Sequence, residues 1–213
     1  MRSGCRTPVR FVLFAAAVVG LVVLYASGAA DRAWEERAEA LGLEVRPGDV
    51  VLQDLRCGER CAAIRAVTRS RYTHVGVVLE EQGELVVWEA LAPVGPTPLG
   101  EWARRGRLAV YRPPLDETTY PRFADAVRAY AGRPYDGSYL WDDERIYCSE
   151  LVAKAWRDAF GEALVEPRPV SLGAWASRAA TLTNGELVDG TPMVSPADLV
   201  RSGRLVKLVD ELE

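Results

Sequence analysis

The chain has 213 residues, 49% hydrophobic and 26% charged, with a formal net charge of −4, usage that excludes a disordered or fibrous protein. The first 30 residues hold Arg2, Arg6 and Arg10 and no acid, so the rest carries 23 bases against 30 acids and offers no electrostatic footprint for nucleic acid. The only histidine is His74, which excludes multi-histidine metal sites and leaves one imidazole for any histidine-based chemistry.

In chain order, a basic segment, Met1 to Arg10, precedes the 16 uninterrupted apolar residues 11–26 and the small residues Ser27-Gly28-Ala29-Ala30. This is the order of a secretory signal sequence. A bilayer core needs about 20 helical residues, so a retained membrane anchor competes with a cleaved leader. Either way residues 1–30 export the body to the periplasm or cell envelope. Residues 31–45 read as a linker helix, and 46–213 as one α+β domain without internal repeats.

Within that domain, Pro47-Gly48-Asp49 turns into a strand at Val50–Gln53, and Cys61–Ser70 has helical spacing. Two apolar runs, Thr73–Leu79 and Leu85–Leu91, flank a Gln82-Gly83 turn and predict a β-hairpin. Pro93–Pro98 reads as a loop, Leu99–Arg105 as a helical turn and Arg107–Arg112 as a strand. Tyr120–Ala131 is an amphipathic helix stopped by Gly132 and Pro134. An aromatic, acidic loop then leads to the strongest helix, Cys148–Phe160, with Leu151, Val152, Ala155, Trp156 and Ala159 on one face. The tail predicts a helix at Pro196–Ser202 and a strand at Arg204–Val209.

The hairpin carries the first functional signal. A two-residue turn at Gln82-Gly83 sets Glu81 opposite Glu84, Gly76 opposite Glu89 and His74 opposite Leu91. His74, Gly76 and Glu89 then share a face, with His74 and Glu89 diagonal neighbours across the gap left by Gly76. A carboxylate bonded to one imidazole nitrogen fixes the tautomer and leaves the other nitrogen as a base. A satisfied core histidine beside an edge glutamate is the competing reading. A buried glutamate in LVVWEAL needs a partner in either case.

The cysteines carry the second. Cys57 and Cys61 are close enough in sequence for a disulfide in an oxidising compartment, which leaves Cys148 as the unpaired thiol of the body. A zinc site of Cys57, Cys61, His74 and Cys148 is the rival, although its spacing matches no common zinc module. Cys148 opens the long helix, where free N–H groups and the helix dipole favour a thiolate and can hold an oxyanion. A small buried hydrophobe is the alternative.

Several stretches together carry a resemblance: GDVVLQ from Gly48, YTHVGVV from Tyr72, Trp88-Glu89-Ala90, Thr97-Pro98-Leu99, GRPYD from Gly132, and LWDDERIYCSELV from Leu140. They resemble the YiiX/YebB-like family, circularly permuted relatives of the NlpC-type cell-wall peptidases, from about Arg46 to Val209. The resemblance implies an α+β papain-like fold in which an antiparallel sheet packs on the Cys148 helix. It implies Cys148 as nucleophile, His74 as general base and then acid, and Glu89 as the orienting third member. Tyr147, Tyr135 and Trp141 become candidates for the oxyanion site or the substrate cleft, and Asp136 for bracing the loop before the helix. The family does not obviously supply Cys57 and Cys61.

The expected activity is that of an exported cysteine amidase or peptidase acting on peptidoglycan peptides. The alternatives are a lipid acyl hydrolase or transferase acting on N-acyl or ester lipids, and a non-catalytic wall- or lipid-binding module. Membrane association, if any, falls to residues 11–26. No metal or organic cofactor is required by the sequence, and it does not set the oligomeric state.

Overall fold

The computed structural model describes residues 28–213. The basic segment and apolar run of the expected leader lie outside them. The described chain begins in a helix, α1 (28–40), and is organised around a six-stranded antiparallel sheet. In chain order follow β1 (Val50–Gln53), α2 (Glu59–Thr68), β2 (His74–Glu81), β3 (Glu84–Glu89), β4 (Gly95–Pro98), α3 (Leu99–Ala103) and β5 (Leu108–Arg112). The second half supplies α4 (Tyr120–Arg128), α5 (Cys148–Phe160), β6 (Arg168–Pro169), α6 (Ala176–Leu182), β7 (Pro192–Met193), α7 (Pro196–Arg201) and β8 (Val206–Asp210). The sheet order is β4-β3-β2-β1-β5-β8, and β6 and β7 pair separately.

Alternation along the strands divides the core in two. Val50, Leu52, Val75, Val77, Leu79, Ala109 and Tyr111 face α4 and α5 and pack on Phe123, Val127, Leu151, Val152, Ala155 and Trp156. Each large apolar side chain buried there contributes roughly 1.5–3 kcal/mol. The intervening residues Val51, Val78, Val87, Leu108 and Val110 face the other way, against Leu99 and Trp102 of α3, with Trp34 of α1 packed on this second cluster. The helix expected as a linker is therefore built into the body. Ala30 is buried, and a Cβ on Gly100 would meet its carbonyl at 2.8 Å. Arg37 donates to the Ala103 carbonyl at 2.8 Å and pairs with Glu211.

Most elements match the expectation within a few residues. The hairpin pairs Glu81 with Glu84 and Gly76 with Glu89, the register that a Gln82-Gly83 turn dictates. Pro93–Pro98 differs: residues 95–98 form the edge strand β4 against β3. Prolines are tolerated there because an edge strand need not donate on its open side. Helix α6 was not evident from the sequence, since ASRAATL has neither a capping residue nor a wide apolar stripe.

Candidate active site

The site begins where the hairpin ends. His74 opens β2 and Glu89 closes β3, and both belong to the sheet face turned away from α5. Gly76 lies between them because nothing larger fits: a Cβ there would come within 2.4 Å of Val87 Cγ1 and 2.9 Å of the Trp88 carbonyl. Across this gap His74 Nε2 donates to Glu89 Oε2 at 2.5 Å. Glu89 also accepts from Thr97 Oγ1 at 2.6 Å, Trp102 Nε1 at 3.1 Å and Arg105 Nη1 at 2.7 and 2.9 Å. Burial alone would raise the pKa of this carboxylate. The hydrogen bond and charge of His74, with Thr97 and Arg105, outweigh burial and hold it at about 2.

The sulfur arrives from the opposite face of the sheet. Cys148 is the first residue of α5, and both of its chain neighbours are pinned. The Tyr147 N–H donates to Glu150 Oε2 at 3.2 Å, which fixes the helix start. Ser149 Oγ donates to the Val194 carbonyl at 2.8 Å, and the Val194 N–H donates to the Tyr147 hydroxyl at 3.0 Å. With Nε2 occupied by Glu89, Nδ1 is the ring nitrogen left for the thiol, with which the imidazole interacts. Burial would lower the His74 pKa, but hydrogen bonding and charge from Cys148 and Glu89 raise it to about 9. The arrangement suits an imidazolium held between a carboxylate and a sulfur, the order of groups a cysteine hydrolase needs before attack.

Around this centre the chain leaves two adjoining chambers. One contains Cys148 and has apolar accessible walls formed by Ile64, Tyr147, Leu172, Ala179, Leu182 and Leu187. The other contains His74, Leu55, Tyr135 and the Cys57–Cys61 pair. These two cysteines form a disulfide, so the four-ligand zinc alternative is ruled out. Among the described residues no group of three His, Cys, Asp or Glu side chains is placed to hold a metal ion.

The weaker candidates separate. Tyr135 lines the His74 chamber, and burial, then the charges of Cys148 and Tyr139, keep its phenol well above the ordinary pKa and thus a donor. Tyr147 lines the Cys148 chamber, but its hydroxyl is engaged by Val194. Trp141 walls neither chamber; its ring lies 5.0 Å from the Lys154 ammonium. Asp136 braces the loop by accepting from the N–H groups of Ser138 at 2.9 Å and Leu140 at 2.5 Å. Asp143 and Glu144 face solvent, and Asp143 pairs with Lys154 at 2.6 Å.

Sequence reasoning missed the three further donors to Glu89. Thr97, Trp102 and Arg105 come from the β4–α3 crossing, whose route the hairpin pattern does not reveal. Thr97-Pro98-Leu99 was a motif without a role. The apolar wall from 172 to 187 left no periodic signal at all.

Comparisons with known proteins agree with this fold. A family model described as "Permuted papain-like amidase enzyme, YaeF/YiiX, C92 family" matches residues 44–209. An "Uncharacterized protein YiiX" of Escherichia coli (strain K12) is 32% identical over 127 residues, 57% of this chain and 62% of that one, so the match spans less than two thirds of that relative. A crystal structure described as metalloprotein YiiX from Escherichia coli O157:H7 is similar with a TM-score of 0.72 at 28% identity, covering 79% of this chain and 98% of that one. In this chain the histidine strand precedes the cysteine helix, as circular permutation of a papain-like order demands. The chain belongs to the permuted papain-like amidases of the YaeF/YiiX family, a family of cysteine hydrolases.

Proposed function

We propose that the protein is an exported amidase or peptidase working through Cys148, His74 and Glu89, with the peptide part of the cell wall as substrate. Cys148 Sγ attacks the amide carbonyl carbon, and the oxyanion that forms is met by the N–H groups at the start of α5 and the Tyr135 phenol. His74 Nδ1–H passes its proton to the leaving nitrogen as the C–N bond breaks. Water then attacks the thioester while His74 takes its proton; the C–S bond breaks, and the acid product leaves the regenerated thiol. Glu89 keeps the ring oriented and offsets its charge throughout.

The observation that carries this reading is the 2.5 Å His74–Glu89 hydrogen bond, made by a ring that also interacts with the thiol at the start of α5. One feature favours a second reading, a lipid acyl hydrolase or transferase: the apolar walls of the Cys148 chamber suit an acyl chain. Purified cell wall and a panel of N-acyl and ester lipids, digested side by side with wild type and Cys148→Ala, test both. Peptide fragments released from wall by wild type alone support the amidase; release of fatty acid with no wall product transfers the proposal to lipids. Equal turnover by Cys148→Ala would move the nucleophile elsewhere.

A further inference from the structure

The body of this protein is acid-rich, yet no Asp, Glu or Lys lines either chamber around the candidate centre. The one charged side chain shared by both walls is Arg60, in the first turn of α2. Its guanidinium donates to the Gly137 carbonyl at 2.8 Å and the Leu182 carbonyl at 3.3 Å, both neutral, and it forms no ion pair among the described residues. The neighbouring Glu59 pairs with Arg178 instead. A half-buried cation held by neutral oxygens keeps its charge available to whatever enters the His74 chamber, whose walls expose polar surface where those of the Cys148 chamber do not.

A second, independent observation lies beside it. The Tyr139 side chain is 8% exposed and lines both chambers, and its buried hydroxyl closes no well-formed hydrogen bond, although Arg60 and Tyr135 stand beside it. A buried phenol left unpaired is costly unless a ligand completes it. The Arg60 guanidinium lies 5.9 Å from the centre of the Tyr139 ring. The surroundings are shaped to hold this pair. A Cβ at position 137 would stand 3.3 Å from Arg60 Nη1, and the Cys57–Cys61 disulfide closes the chain around the start of α2. Tyr139 itself adopts a left-handed backbone, φ 59°, a conformation that costs a non-glycine residue energy and persists only when its surroundings impose it.

We propose that Arg60 and Tyr139 form an anion-recognising subsite, so that the substrate carries a carboxylate or phosphate group close to the bond that is cleaved. Resting on the hydrolase reading above, this narrows the substrate class to anionic amides or esters. A peptide carboxylate and a lipid phosphate share the chemistry that Arg60 reads: oxygen acceptors with negative charge, matched by a guanidinium fork and a phenolic donor.

The test is alkylation of Cys148 in the full-length protein by iodoacetate and iodoacetamide, reagents of nearly equal shape that differ in charge, read on the Cys148 peptide by mass spectrometry so that Cys5 does not contribute. Arg60→Gln lowers the iodoacetate-to-iodoacetamide rate ratio about fivefold, the effect of one partly screened charge at cleft distances, with iodoacetate slowed far more than iodoacetamide. Arg60→Lys retains most of the ratio. Octanoate and octyl phosphate, used as protectants against iodoacetamide, identify the source: the better-matched anion protects at the lower concentration, and Arg60→Gln removes its advantage over octanamide. A ratio unaffected by Arg60→Gln, or two rates that fall together, makes Arg60 a structural brace and overturns the proposal. Failure of the hydrolase reading looks different: neither reagent labels wild-type Cys148 faster than free cysteine, and the subsite falls with it.

Discussion

Two glutamates, one at the end of the hairpin and one at the start of α5, are buried to nearly the same degree and behave in opposite ways. Glu89 is surrounded by His74, Thr97, Trp102 and Arg105, and its pKa sits at about 2. Glu150 has only the Tyr147 N–H and Lys154, whose ammonium lies 2.9 Å from Oε1; burial prevails and its pKa rises to about 7. Equal exclusion of water therefore does not set the charge of a carboxylate. The number of donors aimed at it does, and a permanent charge is found where an imidazolium has to be held. Glu150 has a different task, tying down the turn that presents Cys148.

The largest effect expected from breaking this contrast comes at the richer site. Glu89→Gln removes the charge and leaves the shape; kcat/KM for amide hydrolysis falls about 10³-fold, by analogy with loss of the acid in other triads. A loss under tenfold would mean that the imidazole is oriented by something else. At the poorer site, Lys154→Met strands Glu150 and costs about 3 kcal/mol of unfolding free energy by chemical denaturation at pH 8. The cost shrinks at pH 5.5, where Glu150 is protonated, and adding Glu150→Gln recovers most of it.

The pH dependence sharpens the comparison further. The His74 pKa is raised from 6.5 to about 9, so its stabilising contribution is complete below pH 6.5 and is lost as pH climbs through 9. Glu89 is the mirror case: its contribution is complete above its ordinary 4.5 and lost only as pH falls through about 2. Hydrolysis should therefore decline above pH 9, when His74 no longer holds the proton for the leaving group, and unfolding free energy should fall across the same alkaline window. An alkaline limb near 6.5 would show that neither Cys148 nor Glu89 supports the imidazolium. The smallest effect is expected from Arg105→Gln, because that guanidinium is partly exposed and screened. A drop of tenfold or less in kcat/KM fits, since His74, Thr97 and Trp102 remain on Glu89.

Much of the proposed triad's assembly was legible because it depends on local rules. A two-residue turn at Gln82-Gly83 fixes the register that sets Gly76 opposite Glu89, and alternation then puts His74 on the same face. The first residue of α5 was legible because an unbroken apolar stripe begins at Cys148. What stayed hidden depends on long-range crossings. Thr97 sits on a strand disguised by Pro96 and Pro98, and Arg105 reaches Glu89 only because α3 turns back over the sheet. Tyr139 and Arg60 lie 79 positions apart, one in an irregular loop and one at the start of α2, and no periodicity links them.

Helix α1 has a practical consequence for anyone who trims this protein. Its Trp34 covers the same apolar cluster that seats Trp102, and the Trp102 indole N–H is one of the donors on Glu89. Recombinant material cut at residue 44, where the family likeness starts, would keep the sheet and Cys148 while baring the back of the Glu89 pocket. Such a preparation would turn over poorly, and its sluggishness would be a property of the cut rather than of the intact chain.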